Sequence, residues 1–135
     1  NFEAHIYIDP TMKLPEGYQA LMPYLILKDG RTFLDFAKKV FNAREKMYHE
    51  HEDGGLMHAE LWIHESVLMI GGSNAEYPPC PAGMMIYVEN GDECYQRALQ
   101  NGCPSLLEPQ DQDYGRSCGV RDPWGNTWWI TSVID

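Results

Sequence analysis

The sequence is short of positive charge: 10 Lys and Arg stand against 20 Asp and Glu in 135 residues, a formal charge of −10. Affinity for a phosphate backbone comes from basic side chains that displace condensed counterions, so nucleic acid is not an expected partner. An anionic membrane surface is disfavoured on the same ground. A ligand drawn by such a balance would be cationic. Long apolar runs are missing too, and stretches such as Val67-Leu68-Met69-Ile70 fall far short of the ~20 residues a spanning helix needs. No basic segment leading into an apolar core opens the chain, so no secretory leader is expected. Cysteine is sparse: Cys80, Cys94, Cys103 and Cys118 show no C-x-x-C spacing. That pattern is neither a zinc knuckle nor a secreted disulfide framework, and it predicts reduced thiols in a cytoplasmic protein. Gly-rich phosphate loops, a G-x-S-x-G elbow and an H-E-x-x-H helix are all missing, which leaves NTPase, hydrolase and metalloprotease readings without support.

What is present is core material: 44% hydrophobic residues, with 4 Trp, 8 Tyr and 4 Phe, in a length that suits one domain. It is arranged twice. Leu25-Ile26-Leu27-Lys28-Asp29-Gly30 is an apolar strand ending in a polar turn, and Ile86-Tyr87-Val88-Glu89-Asn90-Gly91 repeats it 61 residues later. Phe33, Leu34, Ala37, Val40 and Phe41 then trace one face of a helix, as do Cys94, Tyr95, Ala98 and Leu99 in the second half, where Gly102 and Pro104 stop it. Each half reads strand, helix and three strands. The first set falls at about 21–28, 32–43, 45–51, 56–63 and 66–71, and the second at about 83–88, 92–101, 104–108, 115–121 and 127–133. The stretch Gly71–Pro81 between them has linker composition. Residues 1–20 form an N-terminal extension with a possible strand at His5–Ile8, and 21–135 form the domain, with modules at about 21–72 and 83–133.

Asp53-Gly54 predicts a two-residue hairpin in which 51 pairs with 56, 49 with 58 and 47 with 60, and a turn at Gly54-Gly55 instead would shift the pairing by two and keep the faces. His49, His51, His58 and Glu60 then share one sheet face, while Met57, Ala59, Leu61 and Ile63 form an apolar face under a helix.

Two βαβββ modules in one chain resemble the vicinal-oxygen-chelate superfamily of glyoxalase I, bleomycin-resistance proteins and extradiol dioxygenases. Several stretches resemble its PhnB-like branch: Pro15-Glu16-Gly17-Tyr18 ahead of Met22-Pro23-Tyr24-Leu25, Asp53 through Leu61, Ser66-Val67-Leu68-Met69, and Tyr114-Gly115-Arg116 through Asp122-Pro123-Trp124-Gly125-Asn126-Thr127-Trp128. The resemblance covers about 15–133. It implies an α+β fold in which eight strands make a cup-shaped mixed sheet, with helices outside and a ligand cavity within, and a homodimer.

The metal positions of such enzymes fall at about Met22, Met69, Gly83 and Trp129, where thioether, glycine and indole supply no hard N or O donors. No cofactor is therefore expected. The alternative donor set for a divalent metal is His49, His51, His58 and Glu60. His58 and Glu60 are also the candidates for acid–base chemistry, since a carboxylate fixes an imidazole tautomer. Strand phase places Tyr24, Ile26, Trp62, Met69, Met85, Tyr87, Thr127 and Trp129 on the cavity side, a wall suited to a flat, apolar or cationic molecule. Arg116 is a candidate for a ligand anion, Asp122 a cap for the Pro123-Trp124 turn, and Cys118 a packing residue. The expected function is metal-independent binding of a small aromatic or cationic molecule. The alternatives are a metal-dependent lyase, isomerase or dioxygenase with an atypical His/Glu site, and a module acting through dimerisation.

Overall fold

The helical spacing read from the sequence builds two amphipathic helices, and alternation builds the strands that they cover. A computed structural model describes residues 12–135; the expected strand at His5–Ile8 lies outside them. The order is β1 (Tyr24–Leu27), α1 (Gly30–Phe41), β2 (Arg44–Glu50), β3 (Leu56–Ile63), β4 (Ser66–Gly72), β5 (Gly83–Tyr87), α2 (Gly91–Gln100), β6 (Ser105–Gln112), β7 (Gly115–Arg121) and β8 (Thr127–Ser132). Asn90 caps α2 by accepting from the Glu93 backbone N–H, with Asp92 and Glu93 at the positive end of the helix dipole. At the other end of α1, Lys38 and Lys39 complement the last turn, and Asn42 terminates it in the left-handed conformation at φ 57°.

The eight strands form two four-stranded sheets rather than one continuous sheet: sheet A in the order β1-β4-β3-β2, and sheet B in the order β5-β8-β7-β6. The internal repeat is visible in the register. Parallel β1 and β4 set Tyr24 beside Met69, and parallel β5 and β8 set Met85 beside Trp129. One face of each sheet carries the core. Phe33, Leu34, Ala37 and Val40 of α1 are buried against Leu25, Leu61 and Ile70, and Cys94 and Ala98 of α2 against Cys118, Val120 and Ile130. The helices also touch one another, and the Val40 carbonyl accepts from the Arg97 guanidinium at 3.1 Å. The core is thus continuous between the sheets, and the helix-free face of each sheet turns away from it.

Two local departures from expectation matter. The 52–55 hairpin closes on three residues, not two: His51 N–H donates to the Gly55 carbonyl at 2.8 Å and Gly54 N–H to the His51 carbonyl at 2.9 Å. Gly54 at φ 88° supplies the left-handed residue such a loop requires. The ladder recovers with His49 opposite His58 and Met47 opposite Glu60, as expected, but Glu50 rather than His51 lies opposite Leu56. Met57 is the extra residue, and it is 50% exposed instead of packing under the helix. The second departure is β6, which runs past the expected end at 108 through Pro109 to Gln112. It is an edge strand with a pairing shift between Leu107 and Gln110, so the missing proline N–H breaks no inner ladder.

Candidate functional site

The helix-free face of sheet A carries a chain of polar contacts built from four segments. Glu60 on β3 is its centre, 4% exposed. One carboxylate oxygen accepts from the Tyr18 hydroxyl at 2.6 Å and lies 3.3 Å from Lys46 Nζ. The other meets His58 Nε2 at 2.7 Å. His58 Nδ1 in turn lies 3.0 Å from the Tyr24 hydroxyl. Spacing explains the first link, because His58 and Glu60 are two apart on one strand and share a face. Tyr24 reaches across β4 over Gly71, where a Cβ would come within 3.1 Å of the Tyr24 ring and hydroxyl. Glycine at that position leaves the Tyr24–His58 contact open.

Tyr18 arrives through a turn. Tyr18 N–H donates to the Pro15 carbonyl, and Gly17 at φ 85° takes the left-handed position of that turn. Gln19 then clamps the segment to β4 by donating to the Val67 carbonyl and accepting from its N–H. Lys46 Nζ donates to the Tyr18 hydroxyl at 2.7 Å and sits over two rings, 3.9 Å from the centroid of Tyr18 and 5.4 Å from that of Trp62. A cation from the chain itself thus already stands over the Tyr18 ring and near that of Trp62.

Burial pushes the Glu60 carboxyl upward, but hydrogen bonds from Tyr18, His58 and Lys46 outweigh it, and the net pKa lies below the ordinary 4.5. Lys46 is held above its ordinary value, first by its contact with Tyr18 and then, against burial, by Glu60. A lowered carboxyl contributes its stability above the unfolded-state pKa and loses it as pH falls through the folded-state value. Urea denaturation of the wild type and Glu60→Gln between about pH 3 and pH 7 is therefore expected to show a stability gap that closes on acidification. A gap independent of pH would contradict the network. With Glu60 ionised it can only accept, so His58 Nε2–H is the donor in the 2.7 Å contact, and in the neutral imidazole Nδ1 is the atom that accepts from Tyr24 O–H.

The expected cavity wall is divided. Tyr24, Ile26, His58, Glu60, Trp62 and Met69 belong to sheet A, while Met85, Tyr87, Thr127 and Trp129 belong to sheet B. One groove of about 1000 Å³ contains Met85 and Tyr87 with Leu21, Pro23, Ile63 and Val67, and none of Tyr24, His58, Glu60 or Trp62 lines it. Alternation fixes which face a strand residue takes, but not how two sheets turn relative to each other. Arg116 is also displaced from the wall. Asp92 holds its guanidinium at 2.7 and 3.0 Å and Asp111 at 3.0 Å, on the side of the α2 N-terminus. Hydrogen bonds to these two partners raise its pKa further.

The His/Glu quartet is not assembled. Beyond the Met57 bulge, His51 lines a groove with Arg31, Tyr48 and Leu56 on the helix side, where the Arg31 guanidinium stacks 3.7 Å over Tyr48. Among the described residues no group of three or more His, Cys, Asp or Glu side chains converges as metal ligands would. The family's metal positions fit a metal no better. Met22 precedes β1 and Gly83 opens β5, and the register sets Tyr24 beside Met69 and Met85 beside Trp129. The two thioethers, glycine and indole at Met22, Met69, Gly83 and Trp129 are a poor donor set for a divalent cation, and the neighbouring Tyr24 phenol and Met85 thioether do not improve it.

Asp122 caps its turn as expected and does more. Its carboxylate accepts from the Trp124 and Asn126 backbone N–H groups, from Asn126 Nδ2 and from Trp128 Nε1, all within 2.9 Å. The cysteines are free. Burial pushes Cys94 up to about 11 and Cys103 and Cys118 to about 12, so these three are packing groups rather than nucleophiles.

Residues 19–130 match the Glyoxalase/Bleomycin resistance protein/Dioxygenase superfamily, and the chain belongs to it. An uncharacterized protein of Mycobacterium bovis is 31% identical, over 81% of this chain and 80% of its own. Among solved structures, TioX from Micromonospora sp. ML1 superposes with a TM-score of 0.72 at 21% identity, covering 86% of this chain and 99% of that one. TnmS3, described as an antibiotic binding protein from Streptomyces sp. CB03234, gives 0.67 at 15% identity, over 87% and 100% of the two chains. A PhnB protein from Bacillus cereus gives 0.69 at 15%, over 85% and 100%. At these identities the structures establish the fold. Among the described residues no helix is long and apolar enough to cross a membrane.

Sequence reasoning missed Tyr18 and Lys46. The Pro15-x-Gly17-Tyr18 turn was the available signal for the first. Lys46 carried none: alternation puts it on the face away from Met47 and Glu60, and it is the extra residue at the register shift between Glu45 and Met47.

Proposed function

We propose that the chain binds a flat, largely apolar small molecule without a metal, in a groove formed by two copies of the chain. The observation that carries this reading is the exposure of large apolar side chains on the two helix-free faces: Tyr24 at 49%, Met85 at 47%, Tyr87 at 54% and Trp129 at 41%. Covering such surface is favourable by about 25 cal/mol per Å². The two faces turn away from the shared core, so one chain does not cover one with the other. A twofold-related copy covers both at once, sheet A of each protomer against sheet B of its partner. Rings and thioethers in that groove offer flat stacking and adaptable contact. The antibiotic-binding description of TnmS3 supports a ligand of the antibiotic or aromatic-metabolite kind. Because Lys46 stands over the Tyr18 ring and near that of Trp62, the groove suits a neutral or hydroxylated ring better than a cation. The reading places the protein in the cytoplasm, with its buried thiols reduced.

Equilibrium dialysis of the full chain against para-nitroanisole, a flat neutral aromatic, tests the binding. Saturable uptake that Trp129→Ala weakens by about tenfold is expected, in line with the loss of one stacking ring at the centre of a site. Uptake that does not saturate, or that the substitution leaves unchanged, would contradict it.

A further inference from the structure

The polar chain on sheet A ends in a hydroxyl at the groove rather than in a closed ion pair. Its order is Lys46, Tyr18, Glu60, His58, Tyr24. The first three are mutually compensated, a buried carboxylate facing one ammonium and one phenol. The last two are set apart from that ion pair: His58 Nδ1 faces the Tyr24 hydroxyl at 3.0 Å, and Tyr24 is half exposed. The charged or titratable groups facing His58 are Tyr24 from β1, Glu60 on its own strand, and His49 opposite it on β2. From this geometry we infer that Tyr24 and His58 form a proton-accepting site for a weakly acidic hydroxyl, a phenol or enol, on a ligand lying against sheet A.

The transfer balances. The ligand O–H gives its proton to the Tyr24 oxygen as the Tyr24 proton moves to His58 Nδ1. The ligand becomes an anion, Tyr24 remains a neutral phenol that now donates to it, and His58 becomes an imidazolium. Nε2–H of that imidazolium already donates to the Glu60 carboxylate at 2.7 Å, so the new positive charge forms beside a fixed negative one. Lys46 continues to balance Glu60, and the imidazolium is balanced by the ligand anion. No proton leaves the complex. The site thus names a ligand class within the proposed function, and it rests on that reading.

Two probes separate the two claims. Para-nitrophenol shows its ionisation as a visible phenolate band, and para-nitroanisole has the same ring with no proton to give. At about one pH unit below the free probe's own pKa, where phenol dominates in solution, the wild-type chain is expected to bind both and to display the phenolate band for the first. Calorimetry in two buffers of different ionisation enthalpy is expected to show no proton released to buffer. In His58→Gln the bound phenolate fraction should fall, its ratio to bound phenol dropping by about tenfold, the change that one pKa unit represents. Tyr24→Phe, which keeps the ring, should lower the same fraction. Para-nitrophenol bound as the neutral phenol, a phenolate band indifferent to His58→Gln, or release of one proton per ligand would overturn the inference while para-nitroanisole binding upholds the groove. Failure of both probes to bind would overturn the groove reading and this inference with it.

Discussion

Asp122→Ala is expected to lower the stability of the chain by about 3–4 kcal/mol and its Tm by roughly 10 °C or more. The carboxylate is 3% exposed and satisfies four donors, of which Trp128 Nε1, on a side chain 2% exposed, has no route to water. Each donor left buried without a partner costs about 1–3 kcal/mol. The damage would not stay in the turn. Trp124, held there by its backbone N–H on Asp122, packs edge-on against Phe33 and Phe36 of α1 and donates its indole N–H to the Lys28 carbonyl at 2.8 Å. Asn126, held by the same carboxylate, accepts from the Ala82 N–H at the start of the second module. The turn thus fastens the second module to the first, and its loss should loosen the joint core as one unit. Urea denaturation of the substituted chain measures the effect, and a loss below about 1 kcal/mol would show that the turn is not the fastening described.

The second large effect concerns association. Trp129→Glu is expected to leave the fold of a single chain nearly intact, because the ring is already 41% exposed. In the proposed pair of copies the same position would lie under the partner's sheet A, where a new carboxylate would have to be desolvated without a partner. That costs about 3 kcal/mol or more, a hundredfold or greater weakening of the pair. Sedimentation velocity across a concentration series reads this directly. The wild type is expected to sediment as a dimer and Trp129→Glu as a folded monomer; identical dimers from both would remove Trp129 from the interface.

How far the sequence could be read follows from which forces are local. Helical spacing in Phe33, Leu34, Ala37, Val40 and Phe41, and its echo 61 residues apart in the strand starts, is enough to lay out both modules, because burial periodicity is a property of a short stretch. The pairing of His49 with His58 and of Met47 with Glu60 came out as the two-residue turn predicts because the Met57 bulge offsets the extra loop residue. The three-residue loop was not legible, since Glu52-Asp53-Gly54-Gly55 permits more than one closure, and one bulge was enough to turn Met57 outward and separate His51 from His58. Nor was the delivery of Tyr18 to Glu60, a contact 42 residues apart that depends on how a turn crosses a sheet. The strand phase behind the expected aromatic wall agrees with the alternation of exposed and buried residues in β1, β5 and the first four residues of β8. The wall's division between two outward faces was not legible, because it depends on the helices packing back to back.

The central claim is that one binding groove takes sheet A from one copy and sheet B from another, and mixing two defective chains tests it most directly. Trp62→Ala with Tyr24→Ala disables sheet A, and Trp129→Ala with Tyr87→Ala disables sheet B. Each chain alone is expected to lose para-nitroanisole binding. After equal amounts are unfolded and refolded together, half of the dimers are mixed, and each mixed dimer regains one intact groove of two, so about a quarter of the wild-type capacity should return. If the groove instead belonged to a single chain, no mixture would restore any binding, and the account would be contradicted.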